Sequence, residues 1–371
     1  LTFSSLKIIF MRKIIVLISL LLIISSSTIF GQDQNVEELI KEGIELHDAG
    51  EYEEAIDRYN EALEIDSTHT LAFYELSLSY LELKDYENAS LYSTQVIDSK
   101  NEQLSSGAYA VKSESLAGMD LVDEAIELLY EGLKKNGPKS ILHFNLALNF
   151  YKKGDIDKTL EHVKAAIDLD KSYSGAFLLY AYALKDKGLW VQSILSFQMF
   201  LLLEPDSKRS KNAFTEMLQL MQLREVAEPV ERSFIQQQLL KNSSNNAVSK
   251  DKLPPLSIEN GLNRNFVYHA ITSTKDSLES ASGEATDFLQ FKTVNMEIMK
   301  ILERESKNSN EGIFWTFYIP FFSHIAHSDY YDAFCRYISV SYYPESFEWW
   351  GNNPEAALNF IMWFENGENN L

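Results

Sequence analysis

The chain has 371 residues, 33 basic and 54 acidic side chains, and a single cysteine, Cys335. A net charge of −21 argues against nucleic acid and anionic lipid heads as main partners, because both need a basic face. One cysteine leaves no internal disulfide framework and no Cys-rich zinc site, while 45% hydrophobic and 12% aromatic residues suffice for packed cores over two or three domains.

In chain order, residues 1–31 read as an address. Met11-Arg12-Lys13 opens a short basic stretch, Ile14 to Ile24 is apolar except for Ser19, and small polar residues lead to Gly31. This is the layout of a secretory signal peptide. The apolar run is 11 residues, against the ~20 needed to cross a bilayer. The expected cleavage lies between Gly31 and Gln32, with Met11 as the start. Retention as an uncleaved anchor is the alternative. The expected localisation is periplasmic or secreted, with no integral span after cleavage.

A repeat follows. Gly50-Glu51-Tyr52-Glu53-Glu54-Ala55-Ile56 is echoed by Lys84-Asp85-Tyr86-Glu87-Asn88-Ala89-Ser90, and further copies surround Ala125, Thr159 and Ser193. These five small residues are spaced 34, 36, 34 and 34 apart. The two extra residues are expected to lengthen the loop around Ser99 to Leu104. A second small series, Gly43, Ser77, Ser113, Ala147 and Ala181, allows close approach of paired helices. Gly50, Gly154 and Gly188 fall where a first helix would end in a left-handed cap.

Together these residues resemble the tetratricopeptide repeat over about Val36 to Ser207. The closing proline of that repeat is kept only as Pro205, with Ser67, Asn101, Gly137 and Lys171 in the other copies. The resemblance implies an all-α superhelix of about five helical hairpins, its first helices lining a concave face. It further implies a protein or peptide partner held in that groove, with no cofactor, no metal and no catalysis. Carried over position by position, the groove candidates are Tyr74, Leu78, Leu81, Phe144, Asn145, Leu148, Tyr151, Leu178, Tyr182 and Lys185. The third unit contributes small residues, Gly107 and Ala110 among them. A dent is expected there, able to take an apolar anchor of roughly 200 Å², worth about 5 kcal/mol before entropy costs. The Lys, Asn and Arg clamp that some relatives use for a C-terminal carboxylate is not reproduced. Asn145, Lys152 and Lys185 are its only polar candidates.

Residues 208–240 continue at helical spacing through Phe214, Met217, Leu218 and Met221 and read as a capping hairpin. Residues 241–263, with Pro254-Pro255, read as a linker. Residues 264–371 read as a smaller helical domain of unknown role, with 18 aromatics from Ile313 onward. His324 and His327 stand three apart near Asp329, without a third ligand or a metalloprotease pattern. Residues 32–207 carry 15 basic against 33 acidic side chains and residues 208–371 carry 15 against 21, so the acidity belongs to the repeats. Three roles stay open. The chain is an interaction scaffold, an exported enzyme with its site in the C-terminal half, or a structural module whose groove is filled by that half.

Overall fold

The computed structural model describes residues 35–224, 262, 264–282, 286–306 and 312–365. The leader-like segment and nearly all of the linker-like segment lie outside these. Among the described residues every regular element is a helix. In order these are α1 (residues 35–49), α2 (Tyr52–Ile65), α3 (Thr70–Glu82), α4 (Tyr86–Ser99), α5 (Glu102–Gly118), α6 (Val122–Asn136) and α7 (Ser140–Lys153). Then follow α8 (Ile156–Leu169), α9 (Ser174–Asp186), α10 (Trp190–Leu203) and α11 (Lys208–Leu220). After residue 263 come α12 (Arg264–Ser282), α13 (Asp287–Ser306), a π-helical turn (Phe314–Tyr318), α14 (Ile319–His327), α15 (Tyr331–Ile338), α16 (Pro344–Asn352) and α17 (Pro354–Glu365). Contacts divide the chain into two units, one ending at Asn145 and one beginning at Leu146.

The hairpins follow from a recurring turn. Gly50, Lys84, Asp120, Gly154 and Gly188 all have positive φ, between 61° and 84°. At each, two backbone bonds close the first helix: Gly50 N–H donates to His47 O and Glu51 N–H to Leu46 O, and the pattern repeats through Gly188 and Leu189. Glycine adopts this conformation without penalty, whereas lysine and aspartate bear a cost of about 1–2 kcal/mol. Gln222 repeats the turn at φ 56°, with Leu223 N–H donating to Leu218 O, so α11 is a sixth first helix. Asp85 and Asp155 cap the second helices α4 and α8, each accepting at 3.1 Å from an N–H three residues on.

Small residues hold the helices together. Ala55, Ala89, Ala125, Thr159 and Ser193 are wholly buried, as are Ser77, Ser113, Ala147 and Ala181. A Cβ at Gly43 would lie 2.3 Å from the Tyr59 ring, and one at Gly132 would lie 2.9 Å from Tyr109. Two expectations change here. The extra residues of the third hairpin lengthen α5 to 17 residues, against 13 in α3, instead of its loop. Asn101 makes this possible by capping the longer helix, accepting from Gln103 and Leu104 N–H. Nor is the dent at the third unit open. Tyr74 lies on Gly107, where a Cβ would meet its hydroxyl at 2.5 Å and its ring at 3.0 Å, and Tyr86 covers Gly118. A missing side chain invites the nearest large one, because an unfilled void loses dispersion contacts.

In the second unit the core continues past the repeats. Helix α10 is buried on nearly every side, packing on α9, α11 and α15. Gln198 of α10 donates to Asn295 of α13 at 2.8 Å. Phe214 of α11 is wholly buried, with its ring 5.0 Å from those of Phe291 and Tyr342. Pro320 stands at the start of α14, just after the π-turn, and Tyr318 meets Ser196 and Tyr180.

Candidate functional site

The repeats place one stripe of each first helix away from its hairpin partner. In α3 the buried residues Ala72, Leu76 and Ser79 recur at helical spacing. The other stripe carries Tyr74, Glu75, Leu78, Leu81 and Glu82, neighbours at three and four residues. Leu78 and Leu81 are half-buried. Neighbouring first helices interlock beside them. His47 of α1 and Ser79 of α3 share a hydrogen bond at 2.8 Å, and Tyr74 reaches from α3 onto α5.

Carboxylates border this stripe in pairs. Burial raises the Glu75 carboxyl above its ordinary range, and the charge of Asp48 on α1 adds to the rise. Burial and then Glu82 do the same to Glu114 on α5. Glu114 is nonetheless exposed to solvent, so it stands in a place open to water and closely surrounded by protein. No ion pair engages Asp48, Glu75, Glu82 or Glu114 among the described residues.

The second unit answers its acids internally. Tyr151 donates its hydroxyl to Asp186 at 2.5 Å, and Lys185 pairs with Glu216 of α11. Burial raises the Asp186 carboxyl, against which the Tyr151 hydrogen bond and the Lys185 charge pull down. Tyr182 stands edge-on to Phe197 at 5.2 Å. Leu148 and Leu178 are half-buried.

The expected groove residues thus divide. Tyr74, Leu78, Leu81, Phe144, Leu148, Leu178, Tyr182 and Lys185 are half-buried. Asn145 and Tyr151 are buried; Asn145 donates to Ile141 O within its own helix and Tyr151 is occupied with Asp186. Two carboxylates, Glu75 and Glu216, lie outside the positions the resemblance supplied. Glu75 was findable as the residue three before Leu78 on the same helical face, whereas Glu216 depends on how α11 docks.

Elsewhere, His324 stacks on Trp363 with rings 5.6 Å apart. His327 bonds Ser323 O and lies 3.6 Å from Glu303. Among the described residues no three His, Cys, Asp or Glu side chains are placed to hold a metal. Cys335 is wholly buried, and burial pushes its thiol up to about 12, far from the thiolate that reactivity needs. No helix among the described residues is long and apolar enough to cross a membrane.

Two family profiles match the chain, one described as TPR repeat over residues 43–84 and one as tetratricopeptide repeat over residues 71–103. A TPR repeat-containing protein of Methanocaldococcus jannaschii, MJ1428, is 26% identical over 125 residues, which is 34% of this chain and 22% of that protein. The chain therefore matches about a fifth of that relative's length. Among solved structures, TTC0263, a thermophilic TPR protein of Thermus thermophilus, is 18% identical with a TM-score of 0.44, covering 50% of this chain and 99% of its own. PilW, a type IV pilus biogenesis factor, is 14% identical with a TM-score of 0.44, covering 57% and 94%. The hairpins closed at Gly50, Lys84, Asp120, Gly154 and Gly188 share one turn, and residues 43–103 match the family's own profiles, so the chain carries tetratricopeptide repeats.

Proposed function

We propose that the chain is a non-enzymatic scaffold that captures a polypeptide segment of a partner protein on the stripe presented by its first helices. One observation carries this reading: Leu78 and Leu148 hold the same repeat position on their first helices, Leu81 stands three residues beyond it and Leu178 four before it, so all four lie on one helical face, and all are half-exposed. In a hairpin array the second helices are free to be polar, and α6 shows this with Glu127, Tyr130, Glu131 and Lys134 exposed. Apolar side chains kept half-open on the other helix are what a segment laid along the first helices of either unit would cover. Among the described residues, the C-terminal helices meet the last hairpins through α9, the turn at Gly188, α10 and α11.

The experiment is site-specific photo-crosslinking in cells. A crosslinking residue replaces Leu81 or Leu178 in turn, with Leu91 of α4, 52% exposed, as the control. Adducts at Leu81 and Leu178 but not at Leu91 are expected. Equal labelling at all three, or labelling at Leu91 alone, defeats the proposal. The basic-then-apolar start supports export as the setting. Cell fractionation and the mass of the purified chain, shorter by residues 1–31, test that part.

A further inference from the structure

We infer that the first-helix stripe of the first unit receives a cationic segment, one that alternates Lys or Arg with apolar side chains. This rests on the proposed peptide capture and specifies its chemistry.

The floor of the stripe is apolar: Leu78 and Leu81 are half-buried, and neither belongs to the core around Ala55, Tyr59 and Leu76. Its borders are two acid pairs, Asp48 with Glu75 between α1 and α3, and Glu82 with Glu114 between α3 and α5. Glu75, Leu78 and Glu82 lie three and four residues apart on α3, so leucine and carboxylate interleave along one helical face. An unpaired carboxylate hemmed in by protein costs free energy that an ammonium or guanidinium recovers. No cation among the described residues does so: the described ion pairs of this unit engage Glu37, Glu45, Glu61 and Glu131, and none of these four acids.

Two further observations point the same way. Tyr59 is wholly buried, its hydroxyl has no hydrogen-bond partner among the described residues, and after burial the charges of Glu75 and Asp48 act on it. Polar capacity at the first acid pair is thus left unmet. The second unit carries Asp186 and Glu216 at the repeat positions of Glu82 and Glu114, and balances them with the Tyr151 hydroxyl and Lys185. The imbalance is therefore a feature of one unit and not of every hairpin.

The test uses the full chain and three synthetic fluorescent peptides of equal length: Lys/Arg alternating with Leu, Glu alternating with Leu, and Lys/Arg alternating with Ser. Binding is read by anisotropy at low and moderate salt. The first peptide is expected to bind at least tenfold more tightly than either other, and to weaken as salt rises. The triple variant Glu75→Gln, Glu82→Gln, Glu114→Gln should bind it at least tenfold more weakly, with its helical signal intact. Because these acids repel one another, the variant is expected to fold at least as well as the parent. Preferential binding of the Glu/Leu peptide overturns the charge inference while leaving peptide capture standing. Equal binding of all three, or unchanged affinity in the triple variant, also overturns it. Failure of every peptide to bind, together with no crosslinking at Leu81, defeats both proposals.

Discussion

Helices α6 and α10 occupy the same place in the third and fifth hairpins and meet opposite surroundings. At corresponding positions α6 carries Glu127, Tyr130, Glu131 and Lys134, all exposed. Helix α10 carries Leu195, Gln198, Met199 and Leu202, all buried. The inward faces agree: Ala125 and Ser193 are both wholly buried, as are Leu129 and Phe197. The repeat thus dictates one face of a second helix, and the other takes its character from whatever packs there. On α6 that is water; on α10 it is the C-terminal helices, through Asn295, α15 and the aromatic group around Phe214. A hairpin at the end of an array has no following repeat to cover it, so an exposed apolar face must be capped or made polar.

The strongest way to break this comparison is to exchange the two outer faces. Leu195→Glu puts on α10 the residue that α6 has, and an unpaired buried carboxylate should cost about 4 kcal/mol or more. Glu127→Leu on α6 should change stability by no more than ~0.5 kcal/mol. Urea denaturation of both variants measures the difference. Equal small effects would mean that the C-terminal helices do not cover α10.

A second comparison, between the acid pairs of the first unit and the matched acids of the second, is sharpened by pH. Glu75 and Glu114 have carboxyls raised by burial and a neighbouring acid. A carboxyl whose folded pKa is raised makes ionisation cost stability, so the cost is present near neutrality and vanishes as pH falls through the raised value. The groups facing Glu75 are Asp48, Tyr59 and Tyr74; those facing Glu114 are Glu82 and Tyr86. The double variant Glu75→Gln, Glu114→Gln should melt about 1–2 °C above the parent at neutral pH, after allowance for solvent screening. That gap should close at mildly acid pH. Scanning calorimetry along a pH series reads it, and a gap that is constant or negative would count against the repulsion.

The smallest effect tests the turns. Lys84 is a lysine in the conformation that Gly50, Gly154 and Gly188 adopt freely. Lys84→Gly should gain up to ~1 kcal/mol, offset in part by greater freedom of the unfolded chain, and Gly154→Ala should lose about 1 kcal/mol. Thermal melts of the two variants should move in opposite directions.

Some of this was readable early. The spacing of Ala55, Ala89, Ala125, Thr159 and Ser193 placed every crossing, because a close backbone approach tolerates only small side chains wherever it recurs. The sequence of α10, WVQSILSFQMFLLL, is apolar on all sides, and a helix of that kind is buried on all sides. Read in that way it announces a cover before the cover is seen. The filling of the third unit was harder to foresee. Gly107 leaves space, but that Tyr74 takes it depends on the distance between α3 and α5. In the same way, that the Tyr151 hydroxyl bonds Asp186 of the next first helix depends on how α7 and α9 pack.

What the sequence determined unaided is therefore the helical hairpin, its period and its inner face, since these depend on local turns and on helix crossings repeated at a constant interval. The tertiary structure alone decided which outer faces meet water, which tyrosines fill gaps and which acids stay unmatched. Those outcomes depend on side chains brought together from distant parts of the chain, and burial, like electrostatic pairing, is a property of the neighbours a residue finds after folding.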